Sequence, residues 1–124
     1  MTEIYAIYGA SGCGRSLMPV AREQLERDNI QAEIYFIDDS LTEKITINGH
    51  VALNYEAFKE LKADKKFALI AIANSQIREK IAIKLEQDAI ERWTVQADNV
   101  VLMDEVEISP GAALSPFVTI TSNI

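Results

Sequence analysis

A length of 124 residues allows one domain, and 48% hydrophobic with 25% charged residues is the balance of an ordinary globular chain that can fill a core. The net charge of −7 excludes the clustered Lys and Arg footprint of a nucleic-acid binder. It leaves a phosphate ligand open, because N–H groups at a helix start bind anions without any side-chain cation.

A single cysteine, Cys13, rules out an intramolecular disulfide. The amino terminus lacks a signal-like apolar segment, and no apolar stretch reaches about 18 residues. A cytoplasmic protein without membrane insertion is expected.

Ile4-Tyr5-Ala6-Ile7-Tyr8 is an apolar, β-rich run ending at Gly9, as suits a central parallel strand covered on both faces. After Gly9-Ala10-Ser11-Gly12-Cys13-Gly14, the residues Leu17, Val20, Ala21 and Leu25 fall at helical spacing. Pro19 is tolerated in a first helical turn and kinks a later one, so the helix is expected to start near Gly14–Leu17 and end at Asp28-Asn29. Glu33 to Ile37 reads as a second buried strand closed by Asp38-Asp39. The order strand, glycine loop, helix, strand defines a βαβ unit with a right-handed crossover.

Ile45-Thr46-Ile47 and His50-Val51-Ala52-Leu53 flank Asn48-Gly49, the dipeptide of a tight hairpin turn. Tyr55 to Leu61 is a short helix, and Phe67 to Ala73 the most apolar run, predicted as another central strand. Asn74-Ser75 then supplies an N-cap, and Ile77, Ile81, Ile83 and Leu85 give the next helix an apolar face through about Asp88. Arg92–Val95 and Val100–Leu102 are weaker strand candidates.

Near residue 100 the rhythm changes. Leu102, Ile108, Leu114 and Ile120 recur every six residues, as do Val106, Ala112, Val118 and Ile124. A hexad period belongs to a parallel β-helix, with Ser109, Pro110, Gly111, Ser115 and Pro116 suited to its corners. The competing reading is a pair of edge strands with fortuitous spacing. The pattern is still running at Ile124, and little more than one turn cannot bury its own core, so either further coils lie outside this sequence or these residues pack on something else.

Gly9, Ser11, Gly12 and Gly14 lie between a buried strand and a helix, where glycine lets backbone approach a ligand and the helix dipole favours an anion. The spacing Gly-x-x-Gly-x-Gly differs from the dinucleotide fingerprint, and no Lys-Ser/Thr pair follows as in a P-loop. A strand-to-helix turn that uses glycine only for geometry is the alternative.

Asp38 and Asp39 end a strand where open α/β sheets place ligands, and a carboxylate there accepts from a ribose hydroxyl or a base edge. A solvated acidic loop is the competing reading. Asn74 and Ser75 sit at the same edge, with plain capping as the alternative. Cys13 is expected to line the ligand or pack rather than act as a nucleophile. The only histidine, His50, reads as a surface residue, and no group has metal-ligand spacing.

Ile7 to Gly14, Phe36-Ile37-Asp38-Asp39, Ala71 to Ile81, and the ending Ile108-Ser109-Pro110-Gly111-Ala112 with Leu114 to Ile120 together resemble one family. It is that of the sialic-acid O-acetyltransferases and bacillosamine-pathway N-acetyltransferases, across essentially the whole chain. The resemblance implies an α/β fold, a Rossmann-like three-layer sandwich with a mainly parallel sheet over residues 1–99. The first turn of a left-handed β-helix would occupy 100–124. It implies binding of a nucleotide-linked sugar, commonly a UDP-amino-sugar. Gly9, Ala10, Ser11, Gly12 and Cys13 would line the diphosphate and sugar, Asp38 and Asp39 would meet the uridine, and Asn74 with Ser75 would close the pocket.

In that family the β-helix trimerises, binds acetyl coenzyme A between subunits and carries the histidine that serves as general base. No residue of this chain matches that histidine, so the chain alone is expected to bind substrate without transferring acetyl groups. The family often has histidine where Cys13 stands. A stand-alone Rossmann-like module for an NAD-type nucleotide is the alternative function.

Overall fold

Strand β1 (Glu3–Tyr8) is buried along nearly its whole length, as an apolar run with no polar alternation requires. The computed structural model describes residues 2–10, 12–96, 101–102, 113–114 and 119–120. Its elements in chain order are β1, α1 (Gly12–Arg27), β2 (Glu33–Ile37), β3 (Ile45–Ile47), β4 (His50–Leu53), α2 (Tyr55–Glu60), β5 (Lys65–Ile70) and α3 (Ser75–Gln87). Short strands β6 (Glu91–Arg92), β7 (Val95–Gln96), β8 (Val101–Leu102), β9 (Ala113–Leu114) and β10 (Thr119–Ile120) follow.

Six strands form one sheet in the order β3-β4-β2-β1-β5-β6, parallel throughout except for the β3–β4 hairpin. The hairpin turns at Asn48 (φ 50°) and Gly49 (φ 83°), the two positive φ values a two-residue I′ turn demands.

Two apolar clusters make the layers. On one face Tyr5, Ile7, Phe36 and Leu69 pack against Leu17, Met18, Ala21 and Leu25 of α1. On the other, Ile4, Ala6, Tyr8 and Ile37 meet Tyr55 and Phe58 of α2 and Ile81 and Leu85 of α3. The expected three-layer α/β arrangement with a mostly parallel sheet is present.

Three local expectations change. Helix α1 begins at Gly12 rather than after Gly14, so Pro19 stands in its interior, on the exposed side. Of the four apolar residues predicted to bury one face of α3, Ile81 and Leu85 are buried, while Ile77 and Ile83 are 47% and 50% exposed. A helix turns 100° per residue, so position 83 lies about 160° around the cylinder from both 81 and 85, whereas Ile77 shares the face of Ile81 and is exposed in the first turn of the helix. Strand β5 also starts and stops earlier than its apolar run, pairing with β1 from Lys65 to Ile70.

Beyond the main sheet, β7 pairs with β9 and β8 with β10, both in parallel. The registers are Val95↔Ala113, Gln96↔Leu114, Val101↔Thr119 and Leu102↔Ile120. Every partner is 18 positions away in sequence. The rest of the hexad segment, with Ile108, Ser109 to Ala112 and Ser115 to Val118, lies outside the described residues.

Strand β7 is tied to α1. Gln24 donates its amide to the Thr94 carbonyl (2.9 Å) and accepts from the Gln96 N–H (2.6 Å), while Arg27 donates to the Gln96 carbonyl (2.9 Å).

Candidate functional site at the carboxyl edge of the sheet

Strands β1 and β5 are neighbours, yet the chain leaves them toward opposite faces, into α1 from one and α3 from the other. That divergence opens the crevice in which open α/β sheets hold ligands. The loop after β1 is anchored on both sides: Gly9 N–H donates to the Ile37 carbonyl (2.8 Å) and Ala71 N–H to the Tyr8 carbonyl (2.9 Å).

The loop glycines have separate reasons to be glycine. Gly9 has φ +123°, and a Cβ there would lie 2.7 Å from the Ala71 carbonyl oxygen. A Cβ on Gly14 would lie 1.8 Å from the Gly9 carbonyl oxygen. Both are explained by backbone packing. Gly12 is exposed, with nothing within 4 Å of where its Cβ would stand, and it opens α1. The N–H groups of Gly12, Cys13 and Gly14 lie in the first turn, ahead of the helix's own i→i−4 bonds. No acidic side chain occupies that turn to compete for an anion.

Arg15 escaped the sequence reading. Its Nε–H donates to the Ala10 carbonyl (2.8 Å), which holds a guanidinium beside the loop. A cation one residue past the last loop glycine is a signal the sequence does carry. Ala10 itself is buried in the α1-side cluster. Ser11 and the side chain of Cys13 lie outside the described residues.

The two aspartates that follow β2 have different surroundings. Asp38 is held within its own turn: its Oδ1 accepts from the Ser40 N–H (3.0 Å) and hydroxyl (2.7 Å), its carbonyl from Leu41, and its N–H donates to Leu53 of β4. Asp39 is turned toward the α2–α3 layer, where Tyr8 donates to its carboxylate (2.5 Å). Lys84 of α3 donates to the same Tyr8 oxygen (2.8 Å) and stands 3.9 Å from Asp39. Burial, then the bond to Asp39, push the Tyr8 phenol far above its ordinary pKa, so it remains a donor. Tyr55 is raised likewise by burial and by its bond to Asp88 (2.5 Å).

Asn74 caps α3, its side-chain oxygen accepting from the Ile77 N–H (3.0 Å). That is the capping role the sequence offered as the alternative to ligand contact. Ser75 opens α3 and lines a cleft of about 330 Å³ between that helix and the β5–β6 edge, together with Arg78, Glu79 and Arg92. The structure therefore gathers Gly9, Ala10, Gly12, Asp38 and Asp39 at the carboxyl edge, with Asn74 and Ser75 across the β1–β5 divide.

His50 is half-buried on the edge hairpin, where Arg22 donates to its Nε2 (3.0 Å). Among the described residues no group of His, Cys, Asp and Glu could hold a metal ion, and no helix is long and apolar enough to cross a membrane.

The family model described as the PglD N-terminal domain matches residues 5–85. The GDP-perosamine N-acetyltransferase of Escherichia coli O157:H7 is 33% identical over 121 residues, which are 97% of this chain and 54% of that enzyme. The solved structure of WeeI from Acinetobacter baumannii AYE is 45% identical with a TM-score of 0.90, over 98% of this chain and 57% of that one. The acetyltransferase domain of PglB from Neisseria gonorrhoeae FA1090, solved with acetyl coenzyme A, shares the fold at 18% identity and a TM-score of 0.75. It is matched over 99% of this chain and 66% of its own length. This chain thus spans about half the length of the curated relative it matches.

Proposed function

The chain belongs to the PglD N-terminal domain family, and on that premise we propose that it is the substrate-binding domain of an acetyl-coenzyme-A-dependent N-acetyltransferase acting on a nucleotide-linked amino sugar. The observation that carries this reading is the start of α1 at the switch point. An exposed glycine, first-turn N–H groups that lie ahead of the helix's own bonds and no competing carboxylate offer a seat for a diphosphate. Arg15 adds a cation beside the loop. Asp38 lies at the end of the adjacent strand, where its carboxylate would accept from a ribose hydroxyl or base N–H. Ala10, Ser11 and Cys13 would line the sugar end, and Asn74 and Ser75 the far wall.

Residues 100–124 are proposed to begin a left-handed β-helix, with β7 leading into it. The support is the common 18-residue register of β7–β9 and β8–β10, which equals three hexads and so one turn of a three-sided coil. In the whole protein that coil would hold acetyl coenzyme A, whose thioester supplies the activated acetyl group, and would assemble as a trimer. The residues described here would bind and orient the sugar nucleotide. His50, the sole histidine in the sequence, is engaged by Arg22 and is not offered as the base.

The Escherichia coli relative is a GDP-perosamine N-acetyltransferase, whereas the resemblance points to UDP sugars, so both nucleotides are tested. Calorimetry on the chain with UDP, GDP, their sugar conjugates and NAD should give heat with a nucleoside diphosphate. Gly12→Asp then separates ligand binding from folding. A carboxylate at the α1 start favours the helix by about 0.3–1 kcal/mol but repels a diphosphate. Retained stability with lost binding is expected. Heat with NAD alone, or unchanged affinity in Gly12→Asp, would overturn the reading.

A further inference from the structure

We propose that Tyr8 and Lys84 are positioning residues for the acidic turn, anchoring Asp39 to the α2–α3 layer so that Asp38 is the carboxylate held for ligand. This rests on the nucleotide reading above and assigns unequal roles to two residues that the sequence presents as a pair.

Tyr8 ends β1 with its ring buried, and its hydroxyl donates to Asp39 across a separation of 31 residues. Lys84 comes from α3, 76 residues from Tyr8 in sequence, and donates to the same phenol oxygen. Its ammonium also lies 4.3 Å from the centre of the Tyr55 ring and 5.2 Å from that of Tyr8, held by two aromatic faces as well as by Asp39. The turn after β2 is thereby fastened to β1 and α3 as well as to β4.

The arrangement has two consequences. Asp39 spends its carboxylate on Tyr8 and Lys84, while Asp38 uses only Oδ1 on Ser40, and its Oδ2 has no hydrogen bond to a described residue. The second consequence is electrostatic. Two adjacent carboxylates beside a diphosphate seat would repel the ligand, and the Lys84 ammonium offsets one of them. A hydroxyl and an amine on remote elements thus set both the aim and the charge of the turn.

The test uses the intact chain and two readouts. Amide exchange of Ser40 and Leu41 reports the turn without any ligand, since both N–H groups bond to Asp38. Titration with GDP and UDP reports binding. Tyr8→Phe and Lys84→Met should each speed exchange at Ser40 and Leu41 and weaken nucleotide affinity by about 3- to 10-fold, while Lys84→Arg restores most of it. Adding Asp39→Asn to Tyr8→Phe should cost little more, because both remove one linkage, whereas adding Asp38→Asn should multiply the loss.

Wild-type exchange and affinity in both Tyr8→Phe and Lys84→Met would overturn the proposal. Full additivity of Tyr8→Phe with Asp39→Asn would also do so. If neither nucleotide binds the wild-type chain, the ligand reading falls by itself, and exchange alone decides whether Tyr8 and Lys84 hold the turn.

Discussion

Gly14 and Gly9 meet across the β1–α1 junction so closely that a methyl group on Gly14 would lie 1.8 Å from the Gly9 carbonyl oxygen. The atom in the way is backbone, already tied through the Gly9 N–H to Ile37, so the contact cannot be relieved by a rotamer change. Gly14→Ala should therefore destabilise the domain by about 3 kcal/mol or more. Gly12→Ala, with open space around it, should leave stability within about 1 kcal/mol of wild type. Urea unfolding of the two variants checks the contrast, and equal midpoints would remove the packing explanation for Gly14.

Helices α1 and α3 end in the same way but with different residues. Asn29 and Ala89 both have φ of 57°, and the following N–H groups of Ile30 and Ile90 return to the carbonyls of Leu25 and Leu85. Asparagine tolerates the left-handed region, whereas alanine is strained there. Ala89→Gly should raise stability by about 0.5–1 kcal/mol, the relief of strain exceeding the added freedom of the unfolded chain. Ala89→Asn should give a smaller gain of the same sign. A thermal midpoint that falls in Ala89→Gly would contradict the strain argument.

Much of this architecture was legible in the sequence because its signals are local. Asn48-Gly49 specified the hairpin turn, the runs at Ile4–Tyr8 and Phe67–Ala73 located the central strands, and Asn74 announced the α3 cap. The start of α1 was misplaced because Gly12, Cys13 and Gly14 show no apolar periodicity and Pro19 argued for a later beginning. Glycines required by packing were also indistinguishable from one with open space around it, since only the fold brings Gly9 against Ala71 and Gly14 against Gly9. The network at the acidic turn was invisible for a different reason. Tyr8 belongs to an apolar strand run and Lys84 to a helix 76 residues away, and nothing local links residues so far apart.

Gln24 is equally unreadable from sequence, a polar residue one position before the buried Leu25 of α1. Its amide pairs with the Thr94 carbonyl and the Gln96 N–H together, taking the part of a neighbouring strand for β7. Gln24→Glu keeps an acceptor for Gln96 but presents no donor to Thr94. Gln24→Ala removes both. Losses of about 1 and 2 kcal/mol respectively are expected, at about 1 kcal/mol for each hydrogen bond. Equal losses would mean that the side chain acts through packing rather than through this two-point bond.

The single histidine offers a pH-dependent check on the edge hairpin. Partial burial, and next the Arg22 guanidinium 3.0 Å away, lower the His50 pKa below its ordinary 6.5, while its bond to the Ile34 backbone acts weakly the other way. The folded state therefore binds this proton less readily than the unfolded chain does. The neutral ring's contribution is fully present above about pH 6.5 and is lost as pH falls toward and through the lower folded value. His50→Gln retains an acceptor for Arg22 without titrating. Unfolding free energies of wild type and His50→Gln, measured from pH 8 to pH 5, should run parallel above about pH 7 and diverge below it. The wild type should lose the more. Parallel curves through the whole range would show that Arg22 and His50 are not thermodynamically coupled to folding.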